Sequence, residues 1–424
     1  MNQRENFAME NRIVFGSYAL FLTALLCNPT LSRAAAGYLP APGAVEAALN
    51  AAPSVSAAIA RQDSANARAV GIRAGTAEFV VRATGQNRNV TNPSANFAEG
   101  QVAIERPLRL WGKADADAAI ADAAIDAGAL AAADARHQAS RQMLALWFNV
   151  IRAREATEAT NRNVELAAEL VSSTRKRARA QDASRMDLEI IEAELARAEA
   201  AAAGARSAQS AAEADLHARY PLLGMPGGLP VETALPASTL LGDDARARYI
   251  GSSYAVRLAL AEEAMAQRVA HRTDLERKPD PTVGAFVTVE RGGTERIAGI
   301  SISMPLGSSY RRASAVAAAA DAGSAAQRRY GAEQAAGADY DVLAKSFSGL
   351  NAAAKAQFSA LQLDLSAAAR SQKAYAAGEI GVAQLLVVRR SLAETTLAAR
   401  TAVVSALEAE EKLKLELQLD SVFR

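Results

Sequence analysis

Between Thr282 and Leu306 the chain reads TVGAFVTVERGGTERIAGISISMPL. Val283, Ala285, Val287 and Val289 alternate with Thr282, Gly284, Phe286 and Thr288, and Ile300, Ile302 and Met304 alternate with Ser301 and Ser303. A period of two puts apolar side chains on one face of a strand and polar ones on the other, so the stretch reads as two half-apolar strands joined by the short, glycine-bearing turn RGGTE. Long alanine-rich, helix-favouring sequence flanks it on both sides. A lone hairpin inside a helical chain leaves two strand edges without partners.

A second strand pair lies upstream. EFVVRATG and GQVAIERPL have the same character, with Val102 and Ile104 opposing Gln101, Ala103 and Glu105, and the second ends at Pro107-Leu108 as the later one ends at Pro305-Leu306. The long runs after the two Pro-Leu pairs also share their phase. Tyr340, Phe347, Ala354 and Leu361 recur every seven residues, and so do Met143, Val150, Thr157 and Val164 at almost the same offset. Leu188, Ile191 and Leu195 match Leu385, Val388 and Leu392 at helical spacing.

The chain therefore reads as two copies of one plan: helix, strand, loop, strand, very long helix, sharp tip, return helix. The expected organisation is a signal peptide over 1–36, a first repeat over 37–218, a linker over 219–242 and a second repeat over 243–424. The first repeat has a helix near 43–76, strands near 78–85 and 100–107, and a helical hairpin near 112–218 with its tip at 180–184. The second has a helix near 243–275, strands near 282–290 and 296–304, and a hairpin near 309–418 with its tip at 377–381. QNRNVTNPSANFAEG is expected as a long polar loop, with the sequon Asn89-Val90-Thr91 exposed on it. Each long helix spans about 67 residues, about 100 Å, which suits a coiled coil rather than a globular domain. Gly323, Gly331, Gly337 and Gly349 leave open a break of the second long helix into shorter ones.

The amino terminus carries Arg4 and Arg12, the apolar run IVFGSYALFLTALLC and an Ala34-Ala35-Ala36 site, the pattern of a secretory signal peptide. Cys27, the single cysteine, is a lipidation site only if a leucine, Leu26, is accepted where a small residue is usual. No other stretch is long and apolar enough for a transmembrane helix. One cysteine excludes a disulfide framework within the chain. His137, His217 and His271 lack metal-ligand spacing. With 47 Lys+Arg against 46 Asp+Glu, net +1, there is no basic surface to recruit nucleic acid. No phosphate loop, dinucleotide fingerprint, nucleophile elbow or zinc motif is present, so no catalytic, cofactor-binding or metal residue is assigned and no enzyme activity is expected.

Four strands are too few to close a barrel, and an open edge is not tolerated in lipid. Pooling strands from several chains resolves this, and three copies supply twelve.

ERPLRLWGKADADAAIADAA (105–124), RARAQDASRMDLEIIEAELARAEA (177–200), AYAAGEIGVAQLLVVRRSLAET (374–395) and PDPTVGAFVTV with GISISMPL together resemble the TolC-like outer-membrane efflux channels, over nearly the whole chain from about Gly43 to Leu419. Trp111-Gly112-Lys113 after the strand looks most like the branch serving heavy-metal efflux, the cobalt–zinc–cadmium type. The resemblance implies a mainly α chain with a small β part, assembled as a homotrimer. It implies a twelve-stranded barrel in the outer membrane, continuous with a helical barrel crossing the periplasm. It further implies a passive gated duct, docked through a periplasmic membrane-fusion adaptor onto an inner-membrane pump of the resistance-nodulation-division type. Tyr375 and Gly378 match the family's Tyr-x-x-Gly tip and are implied adaptor contacts, with Gln181, Ser184 and Arg185 of the first tip, where Ala178 and Gln181 replace the motif. The periplasmic gate is implied at Glu379, Gln384, Val387, Asp182 and Asp187. Gln384 and Val387 stand where carboxylates are usual; Glu379 reads equally as part of a solvated helix end, and Asp182 and Asp187 read first as helix-capping residues and second as a ring of charge at the tunnel mouth. Arg175, Lys176, Arg177 and Arg179 form a basic cluster before the first tip, read as an adaptor-facing surface or a solvated helix face. Drug or solvent efflux and type I secretion are the alternatives within this class. A secreted structural coiled coil is the alternative outside it, and it leaves the strands without a role.

Overall fold

The structure, a computed structural model, describes residues 37–229, 240–307 and 309–423. The expected signal peptide over 1–36, with Cys27, lies outside them, as do residues 230–239 of the expected linker. The chain is mostly helical, with one small antiparallel sheet. In order it forms α1 (Pro42–Ala51), α2 (Pro53–Ala74), β1 (Val80–Thr91), β2 (Ser94–Pro107), α3 (Lys113–Arg179) and α4 (Arg185–Arg219). Then come α5 (Ala245–Ser252), α6 (Tyr254–Leu275), β3 (Thr282–Glu290), β4 (Glu295–Ser303), α7 (Ser309–Ala376) and α8 (Val382–Glu416).

Three sequence readings change. The helix near 43–76 is two helices, because Pro53 has no N–H to donate and holds Ala52 in an extended conformation. The helix near 243–275 is likewise interrupted at Ser253. The long polar loop is mostly strand: β1 and β2 pair without interruption from Val80↔Glu105 to Thr91↔Ser94, leaving Asn92-Pro93 as the turn and placing the sequon within β1. Polar cross-strand contacts replace the missing apolar alternation there, with Glu99 bonded to Gln86 at 2.8 Å and paired with Arg88 at 3.1 Å.

α3 has 67 residues and α7 has 68, so each is about 100 Å long. Alanine supplies helix propensity along both, and Lys176, Arg177 and Arg179 at the end of α3 complement its dipole. α7 runs unbroken through its four glycines. At Gly337 α5 packs close to the long helix, with the Arg246 guanidinium and Ile250 Cδ1 lying where a Cβ would point.

Apolar burial falls in three clusters. In the first, Leu49, Met143, Trp147, Phe148, Leu216, Tyr220, Val404 and Phe423 join α1, α3, α4 and α8. The buried polar handles are satisfied there: Trp147 Nε1 donates to the Tyr38 carbonyl at 2.8 Å and the Tyr220 hydroxyl to that of Ala139 at 2.9 Å. In the second, Tyr249, Tyr340, Phe347 and Leu413 join α5, α7 and α8. The third lies at the hairpin tips.

The sheet order is β1-β2-β3-β4, all antiparallel, with Gly100↔Val289 to Pro107↔Thr282 joining the two copies. β1 and β4 are the edges. Val81, Val102, Ile104, Val287, Ile300 and Ile302 share one face and are exposed, Ile300 at 82%. The described helices contain no segment long and apolar enough to cross a membrane.

The sheet is joined to the helices by a charged cluster. Lys113, whose side chain is fully buried at the start of α3, donates from Nζ to Asp280 Oδ2 at 2.8 Å, the Lys278 carbonyl at 2.8 Å and Glu276 Oε2 at 3.3 Å. Asp117 receives Arg109 at 3.1 Å and Arg272 at 2.5 Å. Partial burial, the largest single influence on the Glu276 carboxyl, pushes its pKa up, but the hydrogen bond and charge of Arg272 together with those of Lys113 outweigh it and hold the carboxyl below the usual range.

Candidate functional site

The two hairpins meet at their tips. Leu170 and Val171 of α3, Ile191 of α4, Tyr375 of α7 and Val382, Leu385 and Leu386 of α8 form one buried cluster. Both turns use the same backbone device. Glu379 N–H reaches back to the Ala374 carbonyl at 2.9 Å and Gly378 N–H to that of Tyr375 at 3.1 Å, with Gly378 at φ 76°. In the first tip Asp182 N–H reaches the Arg177 carbonyl at 2.8 Å and Gln181 N–H that of Ala178 at 3.1 Å, with Gln181 at φ 62°. This left-handed helix stop suits glycine; at Gln181 a residue with a Cβ holds it at a cost of about 1 kcal/mol.

The return helices start differently. Ser184 caps α4 by accepting from Asp187 N–H at 3.0 Å, and the Asp187 carboxylate accepts from Ser184 N–H at 3.3 Å, a reciprocal capping box. Gly381 precedes α8 with no side-chain cap. Asp187 is thus engaged as a helix cap. Asp182 accepts from Arg177 Nε at 2.8 Å. That bond, against the partial desolvation of Arg177, holds the guanidinium above its usual pKa.

Tyr375 is buried, and its ring lies under the Arg177 guanidinium, 4.9 Å from centroid to Cζ. Tyr375, Arg177 and Asp182 therefore form one array across the two copies. Of the basic cluster, Arg175 also pairs, with Glu192 at 2.6 Å. Arg185 is 92% exposed and holds Glu189 at 3.1 Å. Glu379, Gln384 and Val387 are exposed, and the last two lie three residues apart on one face of α8.

Sequence reasoning missed a second cross-link. Arg390 of α8 grips Glu194 of α4 through Nε at 3.0 and 3.1 Å and through Nη2, while Arg197 holds the same carboxylate at 2.9 Å. The hydrogen bond from Arg390, opposed by partial burial, keeps the Glu194 carboxyl below the usual carboxylate range. Arg389 bonds to the Leu166 carbonyl and Gln372 Oε1, both at 2.8 Å, and its burial lowers its pKa. Arg390 and Glu194 are about two hundred positions apart in sequence, so nothing local announces the pairing. Among the described residues, no group of three or more His, Cys, Asp or Glu side chains is arranged to hold a metal ion.

No family model matches the chain. No curated protein matches it by sequence. Solved structures do match. The outer-membrane channel OprN superposes with a TM-score of 0.76 at 18% identity, covering 88% of this chain and 89% of that one. VceC, an outer membrane protein of Vibrio cholerae, gives 0.72 at 18% identity over 88% and 95%. The Campylobacter jejuni outer membrane channel CmeC gives 0.74 at 12% identity over 88% and 84%. The chain has the fold of an outer-membrane channel. Within that fold, the four-stranded sheet forms one end of the chain's long axis and the packed tips of the two hairpins form the other.

Proposed function

We propose that the chain is one subunit of a homotrimeric outer-membrane efflux channel, a passive and gated exit duct without catalytic activity. The observation that carries this reading is the open four-stranded sheet, apolar on one face and unpaired at both edges, running into two helical hairpins about 100 Å long. Lipid excludes unsatisfied strand edges, so the sheet calls for closure by neighbouring copies, and three copies provide twelve strands. The helices then cross the periplasm and end in the tips. A periplasmic membrane-fusion adaptor would dock around Tyr375, Gly378, Gln181, Ser184 and Arg185, beneath which sits an inner-membrane pump of the resistance-nodulation-division type. Glu379, Gln384, Val387, Asp182 and Asp187 would surround the aperture. The likeness in fold to OprN and CmeC, both outer-membrane channels, supports this reading.

Heavy-metal cations are the proposed cargo, a reading supported by the likeness of Trp111-Gly112-Lys113 to that branch. The described residues offer no cluster of metal ligands, and on this reading selection belongs to the pump. The test is reconstitution in planar bilayers together with deletion in the native cell. Discrete conductance steps and raised retention of cobalt, zinc or cadmium are expected. Conductance with unchanged metal retention refers the cargo to drugs, solvents or secreted proteins. A chain that stays in the aqueous phase without conducting supports a structural coiled coil instead.

A further inference from the structure

The two copies specify how one chain meets the next. The β2–β3 junction inside the chain joins the second strand of copy one to the first strand of copy two. In a closed ring, β4 and β1 of an adjacent copy form the same kind of junction with the copies exchanged. This inference rests on the trimeric reading and adds to it the register and the residues of the seam.

The equivalences come from the ladders. Pro107 and Pro305 end corresponding strands, so Ile104 corresponds to Ile302 and Val102 to Ile300. Val80 faces Glu105 as Thr282 faces Ser303, so Val80 corresponds to Thr282, Ala83 to Ala285 and Glu78 to Asp280. The observed pair Ile104↔Ala285 then becomes Ile302↔Ala83 between copies, and Val102↔Val287 becomes Ile300↔Gly85. Face parity supplies an independent check. Ile302 and Ile300 pair across β3 with Val283 and Ala285, while Ala83 and Val81 pair with Val102 and Ile104, so all lie on the one apolar face. A slip of one residue would set Ile302 against Arg82 or Thr84 and break that face.

Charge repeats the correspondence. Within the chain, buried Lys113 is held by Asp280 at 2.8 Å. The counterpart of Asp280 is Glu78, an exposed carboxylate just before the edge strand β1. The strand alignment puts Arg311 in the place of Lys113; the alignment of the tips puts Tyr310 there, one residue earlier. Both lie in the first turn of α7, and Arg311 is the one with charge. Arg311 Nη2 donates to the Gly307 carbonyl, but its Nε is buried with no hydrogen-bond partner among the described residues.

We propose that β4 pairs with β1 of an adjacent copy in the register Ile302↔Ala83, and that Arg311 closes this seam by an ion pair with Glu78 of that copy. Disulfide trapping tests the register in a chain whose single cysteine is replaced, Cys27→Ser. Directly opposed residues have Cβ atoms about 5 Å apart, within disulfide reach, while diagonal neighbours at about 7–8 Å are not. Ile302→Cys combined with Ala83→Cys is expected to give a covalently linked trimer on non-reducing gels. Stronger linkage from Ile302→Cys with Val81→Cys, or with Gly85→Cys, overturns the register. A trimer in detergent that none of the three pairs links overturns this seam but leaves the trimeric reading standing. A particle that is not trimeric overturns both.

For the ion pair, Arg311→Glu and Glu78→Arg each reduce assembled trimer by about fivefold at limiting subunit concentration. The double variant restores it. A double variant as weak as the singles, with helix content unchanged by circular dichroism, overturns the ion pair.

Discussion

Replacing Arg390 by alanine removes a link between the return helices of the two copies. Its guanidinium meets Glu194 through two nitrogens, with the carboxylate 15% exposed and the arginine 48%. Arg197 keeps its own bond to Glu194 at 2.9 Å, so the substitution leaves no unpaired buried charge. The loss is that of a bidentate but partly solvated pair, about 1 kcal/mol per subunit. If three subunits part their tips together, the closed arrangement loses about 3 kcal/mol, roughly 150-fold in the closed-to-open ratio. Single-channel recording in planar bilayers reads this as long-lived high-conductance openings in Arg390→Ala. Glu194→Ala should behave alike, and the double variant should add little. The folded-state pKa of Glu194 is depressed, so the stabilisation is complete above the ordinary carboxylate value and is lost as pH falls through the lowered one. Acidification should therefore drive the parent channel toward the open behaviour and leave Arg390→Ala nearly unmoved. Parent-like closure in an intact Arg390→Ala trimer, at neutral and acid pH alike, would refute this use of the link.

Three further outcomes are expected. Gln181→Gly relieves the left-handed backbone of the first tip and stabilises it by up to about 1 kcal/mol, while Gly378→Ala costs the second tip about as much; amide exchange of the flanking turns reads both. Lys113→Met leaves Asp280 and Glu276, 20% and 40% exposed, without their buried cation, and should cost about 2–3 kcal/mol in thermal or denaturant unfolding. Gln384→Asp should increase cation block of single-channel current, and unchanged block would remove Gln384 from the constriction.

The elements whose signal is local were legible in the sequence. Val283 to Val289 alternates over four apolar residues, and Met143 and Val150, like Tyr340 and Phe347, mark buried helix faces at seven-residue intervals. The outer half of the β1–β2 ladder was not legible, because Gln86, Arg88 and Glu99 stabilise it by polar contacts that do not alternate. At the tips, the positions of Tyr375, Gly378 and Gln181 could be read from the sequence. The contact of Arg177 with Tyr375 and the grip of Arg390 on Glu194 could not, since each joins segments about two hundred residues apart. Lys113 stood out as part of a motif, but its burial against Asp280 depends on the same long-range pairing of copies.

Everything proposed for this chain depends on its sheet being completed by other copies. Native mass spectrometry of the particle released from detergent measures that directly, read beside amide exchange of β1 and β4. Three chains per particle, detergent-dependent and with both edge strands protected, is the predicted result. A single chain, monodisperse in detergent-free buffer with those same edges protected, would contradict it.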